Sequence, residues 1–534
     1  KKDPQLHNVF VVFDIIWGGK KRQLLSTHPI SAVSSSTSKV YNYLPLIQTD
    51  IEISSEYEIG DSNPSQRTLN ITVDGRTINP LEMILRGDSV AGFGEVSIID
   101  DNGDYDNRFV ILKGDMDGGV GFGVKEETIS ATLIDPAYTS DKITPATVAT
   151  KETIPTLPDN YVGKRYPIIF GSYPYVPCIP VSETAFAPSW IVCSGDCEVK
   201  RVYINGNYRA PNDPNRGHSI IRSVDNKNNP ITIIKFINSN PPWESSDAVY
   251  AEVSVDSEEN IDLMSIIRKI IIRSSLLNEV SLDERLFFRA QTKLPKLYPK
   301  CLINGSGSGN TTRALEYIQN GLLSSFPMVS MTFTGNGYGP IITDRRSEIV
   351  VMDLVARQGL LYDRVSDIQE SGKNNIRNSF TFRYNYNAIT DNYNSIIIRD
   401  SSNSPLCKIS EDLYGRHDGD VIESVVVFDD KTANSVVDWM VSHQSLPSYY
   451  VEYTGSPSLY FKLMLGDNVN FTDEKLGIYS QKSTVVKISY KKENVVIGLK
   501  MWILYTKLGA STAYGGGAGP VPINYDKTSD NTGD

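Results

Sequence analysis

Apolar and polar positions alternate through much of this chain, and that alternation predicts strands. Val9 to Trp17 reads as an apolar strand, followed by a basic patch at Lys20, Lys21 and Arg22 and a polar, linker-like run from Ser31 to Ser38. Glu52 to Ile59 and Thr68 to Val73 alternate, and Asp74-Gly75 ends the second of these as a hairpin signal. Asp101-Asn-Gly-Asp104 marks a turn, and Ile129 to Ile134 closes the block at Asp135-Pro136. Thr144 to Asn160 is a Thr/Pro-rich connection, after which several strands run to about Val255.

The period then changes. In Ile261 to Leu277, Asp262, Ser265, Arg268, Lys269 and Arg273 share one arc, leaving Leu263, Ile266, Ile267, Ile270 and Leu277 on the other, so a helix is predicted. A second helix starts near Asn310 or Thr311 and buries Leu315, Ile318 and Leu322; a third runs from Thr432 to about Ser442 over Ala433, Val436, Val437 and Met440. Strand patterns return at Phe380 to Tyr386 and Ile396 to Ile398. They continue through Leu459 to Leu465, Val485 to Tyr490 and Val495 to Trp502. From Ser511 a Gly/Ala/Pro/Asp tail is too polar to support a core.

The chain has 534 residues, beyond the size at which one core keeps growing, so several domains are expected. The reading is mainly β with a few helices (α+β): an arm and linker at 1–40, a first tube-like β domain at 41–160, and a small β domain at 161–255. A helix-containing domain at 256–375, a second tube-like β domain with a short helix at 376–510 and a flexible tail at 511–534 complete it. A net charge of −11 argues against nucleic acid as a stable ligand, though an acidic wall would not trap a passing duplex. No run reaches the roughly 18 apolar residues of a membrane span, and no signal-peptide pattern follows Lys1, where the numbering opens without the Met of a true N-terminus. An odd count of five cysteines suits a reduced, cytosolically made protein.

Candidate chemistry is sparse. Asp100 to Asp106 offers oxygens at alternate positions, but it lacks the sixth-position Gly and twelfth-position acid of a calcium loop, so a hairpin turn is the better reading. Gly305-Ser-Gly-Ser-Gly309 precedes a helix without the lysine of a phosphate loop. Cys178, Cys193 and Cys197 are the one metal-like cluster; without a second close pair, buried thiols are favoured over zinc or a disulfide. His7, His28, His218, His417 and His443 are scattered, and no Gly-x-Ser-x-Gly elbow anchors a nucleophile. Trp17, Trp190, Trp243, Trp439 and Trp502 are dispersed like core residues rather than gathered into a sugar platform. No enzyme, metal or cofactor is expected.

Val162-Gly-Lys-Arg-Tyr-Pro-Ile-Ile-Phe-Gly171, followed by Cys197-Glu-Val-Lys-Arg-Val-Tyr-Ile-Asn-Gly206, resembles a "G-K-x-x-P-x-x-x-G" strand and "V-x-x-V-Y-x-x-G" segment of the central tail-hub (baseplate-hub) proteins of tailed bacteriophages. The order of further blocks is similar: the turn at Asp100 to Asp106, Leu133-Ile-Asp-Pro136, the helix from Asp262 with Ser281-Leu-Asp283, and Asn378 to Asn387. Asp430-Lys-Thr-Ala433, Leu446-Pro447 and the "G-D-x-V" turn of Leu465-Gly-Asp-Asn-Val469 follow, so the resemblance covers about residues 90 to 502. It implies a homotrimer in which each chain gives two tube-like barrels, at roughly 41–135 and 380–502, with the middle blocks as outer wall. Six quasi-equivalent barrels would then join a sixfold tail tube to threefold tip proteins in the virion, after assembly in the host cytoplasm. Implied partners are a tail tube or distal tail protein, tip, spike or fibre proteins and a tape-measure protein, with DNA only in transit and no membrane insertion. A contractile bacteriocin or injection-system hub, a β-rich carbohydrate-binding adhesion protein and a cell-wall hydrolase are the alternatives.

Overall fold

The computed structural model of the protein describes residues 9–17, 21–48, 51–60, 67–76, 92–100, 103–116, 123–125, 127–135, 145, 147–181, 188–237, 247–255, 261–273, 282–304, 313–491 and 494–502. The chain is mainly β with a few helices, multidomain, and carries two half-barrel sheets.

The first sheet uses β1 (Val9–Trp17), β2 (Lys21–Ser26), β6 (Thr68–Asp74), β7 (Gly92–Asp100), β8 (Phe109–Met116), β9 (Gly123–Lys125) and β10 (Thr128–Ile134). Its order is β2-β1-β7-β8-β10-β6, with β9 on β10. The stretch 1–40, read as an arm and linker, thus supplies a central strand. Strand alternation turns Val11, Phe13, Ile15 and Trp17 inward, where all four are buried. Between β2 and β6 lie β3 (Ile30–Val33), β4 (Val40–Tyr43) and β5 (Glu52–Glu56). Residues 44–48 bridge the two outer strands. Ser26 N–H donates to the Leu44 carbonyl at 2.8 Å and Ile47 N–H to that of Ser26 at 3.0 Å, while Gln48 N–H reaches Thr72 at 2.9 Å.

A small β unit follows, in which two four-stranded sheets enclose Val176, Trp190, Val202, Phe236 and Val253. Helix α1 (Leu263–Arg273) buries Leu263, Ile266, Ile267 and Ile270, the arc its sequence period predicts; Leu277 lies outside the described residues. Helix α2 (Glu284–Lys293) buries only Leu286, Phe287 and Ala290, too short a stripe to stand out in the sequence, and is capped by Asp283. The next helix begins at Ala314, widens to a π turn over Tyr317–Leu322, and buries Leu315, Ile318 and Leu322 as expected; Asn310 and Thr311 lie outside the described residues. A hairpin (Val329–Thr334 with Gly337–Ile342) follows. Then come α3 (Pro405–Tyr414) and α4 (Asp430–Gln444), which covers the predicted third helix.

The strands Ser379–Asn387, Asn392–Arg399 and Asp418–Glu423 form their own three-stranded sheet rather than part of the second barrel. Phe380, Phe382 and Tyr384 face Ala433, Val436 and Val437 of α4 in the same core as α1, and that apolar match draws them into the helical unit.

The second barrel sheet takes β11 (Asp353–Val355), β12 (Leu361–Arg364), β13 (Ser448–Gly455), β14 (Asn468–Asp473), β15 (Ile478–Lys491) and β16 (Val495–Trp502), in the order β11-β14-β15-β16-β13-β12. Leu459–Lys462, within a stretch read as β, is one helical turn. A single core joins both sheets, from Phe13, Val96 and Leu133 to Val485, Ile497 and Leu499. Phe109 stands edge-on to Phe461 at 4.7 Å. Strand β5 leaves the first sheet and pairs with β15, Ile53 opposite Tyr490 and Glu56 opposite Lys487.

The two sheets repeat one topology. In the first, residues 44–48, β6, β7, β8 and β10 follow in chain order; in the second, β11–β12, β13, β14, β15 and β16 do so. Each element has the corresponding neighbours, and each pairing along the two rows is antiparallel. The second row closes with β14 parallel to β11. The first reaches the same relative direction through the added β1–β2 hairpin: β7 to β1 and β1 to β2 are antiparallel, and Leu25 to Leu44 is parallel. The tail from Ser511 lies outside the described residues.

Candidate functional site: clamps and charged faces of the two sheets

The acidic residues of the sequence blocks act as clamps. Gly466 adopts φ +80°, and a Cβ there would sit 2.7 Å from the Ile342 carbonyl oxygen, so glycine is required at this corner. The corner aims Asp467, 1% exposed, at α2: Arg289 Nη1 donates to both carboxylate oxygens at 2.8 Å and Lys293 Nζ to Oδ1 at 3.0 Å. The Met464 N–H donates at 2.8 Å. The neighbouring Asn468 Nδ2 donates to the Asp344 carbonyl at 2.9 Å, joining β14 to the end of the hairpin. In the first sheet Asp135 receives Arg67 Nη2 at 2.8 Å and Nε at 3.1 Å, and Arg67 Nη1 goes on to the Ile111 carbonyl at 3.0 Å. One buried pair therefore locks the ends of β6 and β10 to the middle of β8. Asn378, fully buried, donates to the Gly415 carbonyl at 2.8 Å and accepts from the His417 N–H at 2.7 Å. Tyr384 donates to Asp430 at 2.6 Å.

The Asp100–Asp106 turn engages protein donors. Asp104 accepts from the Ser35 N–H at 2.9 Å and Asp106 from the Ser36 N–H at 2.9 Å and the Ser34 hydroxyl at 2.8 Å. The Ser36 N–H and the serine hydroxyls hold the Asp106 carboxyl down at about 2. The serine run is thus a docked hairpin loop rather than a linker. Asp101 and Asn102 lie outside the described residues, as does Gly305–Gly309.

The face of each barrel sheet turned away from the shared core carries interleaved charge. On the first, Asp14 and Glu95 alternate with Arg22, Arg108 and Lys113. Arg22 pairs with Asp14 and donates to the Tyr105 hydroxyl at 2.6 Å; Lys113 meets Glu95 at 3.1 Å. Tyr105 stacks on Tyr41 at 3.7 Å and lies 4.0 Å from the Arg108 guanidinium. On the second, Lys487 lies 2.8 Å from Glu452 and 3.6 Å from Glu56, and Lys491 lies 3.0 Å from Glu52. Burial opposes ionisation of Glu452, but hydrogen bonds from Lys487 and Tyr450 hold its carboxyl below the usual range. Gly498 makes room for this pair, since a Cβ would come within 2.7 Å of the Tyr450 hydroxyl and 2.8 Å of Lys487 Cβ.

Cys178, Cys193 and Cys197 are buried free thiols, and burial pushes Cys178 up. Among the described residues no group of three or more His, Cys, Asp or Glu converges to hold a metal. Trp17, Trp190, Trp439 and Trp502 are buried; Trp243 lies outside the described residues. A cavity of about 90 Å³ lies between the sheets beside Arg67, Phe109, Leu286 and Phe461, smaller than the pockets that hold drug-sized ligands. Sequence reasoning missed Arg67, Arg289 and Lys293, whose partners stand 68, 178 and 174 positions away.

His443 is buried with its ring stacked on Trp439 at 4.3 Å and accepts from the Arg345 N–H at 3.2 Å. Burial, reinforced by the positive charge of Arg345, lowers it to about 3. The folded protein thus binds fewer protons than the unfolded chain from near pH 6.5 down to about 3. Its stabilising effect is complete above the unfolded value and is lost as the pH falls through that window. In His443→Gln, unfolding free energies from urea denaturation at pH 7 to 4 are expected to fall less steeply than in the parent, the difference approaching about 1.4 kcal/mol per pH unit.

No protein-family model matches the chain, and no curated protein matches it. Three solved structures stand among those the chain is similar to. The 43 kDa tail protein of prophage MuSo2 from Shewanella oneidensis is 12% identical, with a TM-score of 0.40 over 92% of this chain and 98% of that one. The tail protein from Neisseria meningitidis MC58 is 9% identical, with a TM-score of 0.40 over 92% and 96%. A chain of the virion of a native gene transfer agent particle is 10% identical, with a TM-score of 0.45 over 68% and 88%. By their descriptions these three are two tail proteins and a component of a virion.

Proposed function

We propose that this chain is a virion structural protein, the central hub of a phage tail tip or baseplate, acting as a homotrimer. The observation that carries the reading is the repeated topology: one chain holds two barrel sheets of the same strand order, welded by a common core and by β5. Three such chains in a ring present six similar sheets around a threefold axis, which suits a junction between a sixfold tail tube or distal tail protein and threefold tip, spike or fibre proteins. The sequence blocks that resemble hub proteins support it, because Asp467 fastens α2 to the second sheet and Asp135 locks the strands of the first. The interleaved charges of the outer sheet faces suit a wall along which DNA moves without being held, since cations there are already paired with carboxylates. The role is structural, not catalytic, and its place is the virion.

Native mass spectrometry of the purified chain tests the stoichiometry. A mass about three times that of the 59.3 kDa chain is expected; a dimer or hexamer would contradict the reading.

A further inference from the structure

Strand β5 fills an edge that has a counterpart elsewhere in the molecule. Its partner β15 pairs with β16 along Ile488 to Tyr490, and β5 covers the opposite edge of those residues. In the first sheet the corresponding place, at the end of the hairpin leading into β10, is β9, with Val124 opposite Ile129. Among the described residues the other edge of β9 has no strand partner. In chain order β5 follows residues 44–48. The segment in the same place of the second repeat follows β12, and it is the run Val365 to Glu370. That run lies along the outer edge of the second sheet, held by Val365 N–H to the Glu452 carbonyl at 2.8 Å and by Gln369 opposite Tyr450. Its two apolar side chains face outward, Val365 54% exposed and Ile368 37%, and Tyr362 of the preceding β12 is 44% exposed.

We propose that in the ring the run Val365–Glu370 of one chain docks on the β9 edge of the first sheet of the next chain. It would repeat between copies the contact that β5 makes with β15 inside the chain. The occupant is a second copy of this protein, and the contact is heterologous, so that it closes a ring instead of pairing two chains face to face. Backbone pairing along the two edges would supply the register, as in strand addition generally, and Val365 and Ile368 would be withdrawn from water. This contact rests on the ring reading given above.

The test uses the full-length chain with a photo-crosslinking phenylalanine derivative replacing Ile368, prepared as a mixture of isotopically light and heavy protein. Irradiation is expected to yield mixed-isotope crosslinks to the peptide containing Gly123–Lys125. In parallel, the double variant Val365→Asp, Ile368→Asp is expected to keep its circular dichroism, because both side chains are exposed, while its native mass falls to about one third of the ring's. A threefold ring that persists in the double variant, with crosslinks to other peptides, overturns this contact and leaves the hub reading standing. An unmodified chain that forms no ring overturns both.

Discussion

Asp467→Ala is expected to destabilise the protein by about 3–5 kcal/mol, the usual cost of removing one partner from a buried ionic cluster. Asp467 and the Lys293 side chain are 1% and 9% exposed, so the variant strands a cation away from water at the joint between α2 and the second sheet. Arg289, 33% exposed, can turn outward, which makes Lys293 the costly remainder. Urea denaturation followed by circular dichroism measures the loss. The double variant Asp467→Ala, Lys293→Met is expected to recover a large part of it, because the stranded charge is gone. A loss below about 1 kcal/mol in the single variant would place this pair with exposed ion pairs and contradict the clamp assignment.

Gly114→Ala is expected to be at least as damaging for a different reason. Where β8 crosses β10, a Cβ on Gly114 would lie 2.2 Å from the Ile134 carbonyl oxygen and 2.8 Å from its carbon. Those are backbone atoms of the paired strand, so no rotamer change relieves the overlap and the two strands must part. Forced overpacking typically costs about 1–3 kcal/mol and more where backbone must move. Hydrogen exchange of the first-sheet amides should rise sharply in this variant. Gly372→Ala is the matched control, since a Cβ there meets nothing within 4 Å. Equal protection in both variants would contradict the described crossing of β8 and β10.

What could be read from sequence followed from local periodicity. The arc of α1 and the alternation of Thr68 to Val73 and of Val495 to Met501 each declare a buried face within one element, and the structure buries those faces. Pairing across the chain was not legible in the same way. Nothing in Glu52-Ile-Ser-Ser-Glu56 says that it leaves its own block for β15, because alternation fixes a face and not a partner. The strand from Ser379 reads as well for a barrel as for a small sheet; Phe380 and Phe382 are claimed by α4 only once the helix is in place. The clamps were half visible. Asp135 and Asp467 stood in recognisable turns, while their arginine and lysine partners carried no local mark.

The measurement that bears most directly on the central claim is single-particle imaging of the purified chain with class averaging and no imposed symmetry. The account predicts a threefold ring whose inner wall shows six lobes, two per chain, around an open centre. Particles without a ring, or a ring whose lobes number three, would contradict it, because the two repeated sheets would then not occupy equivalent places.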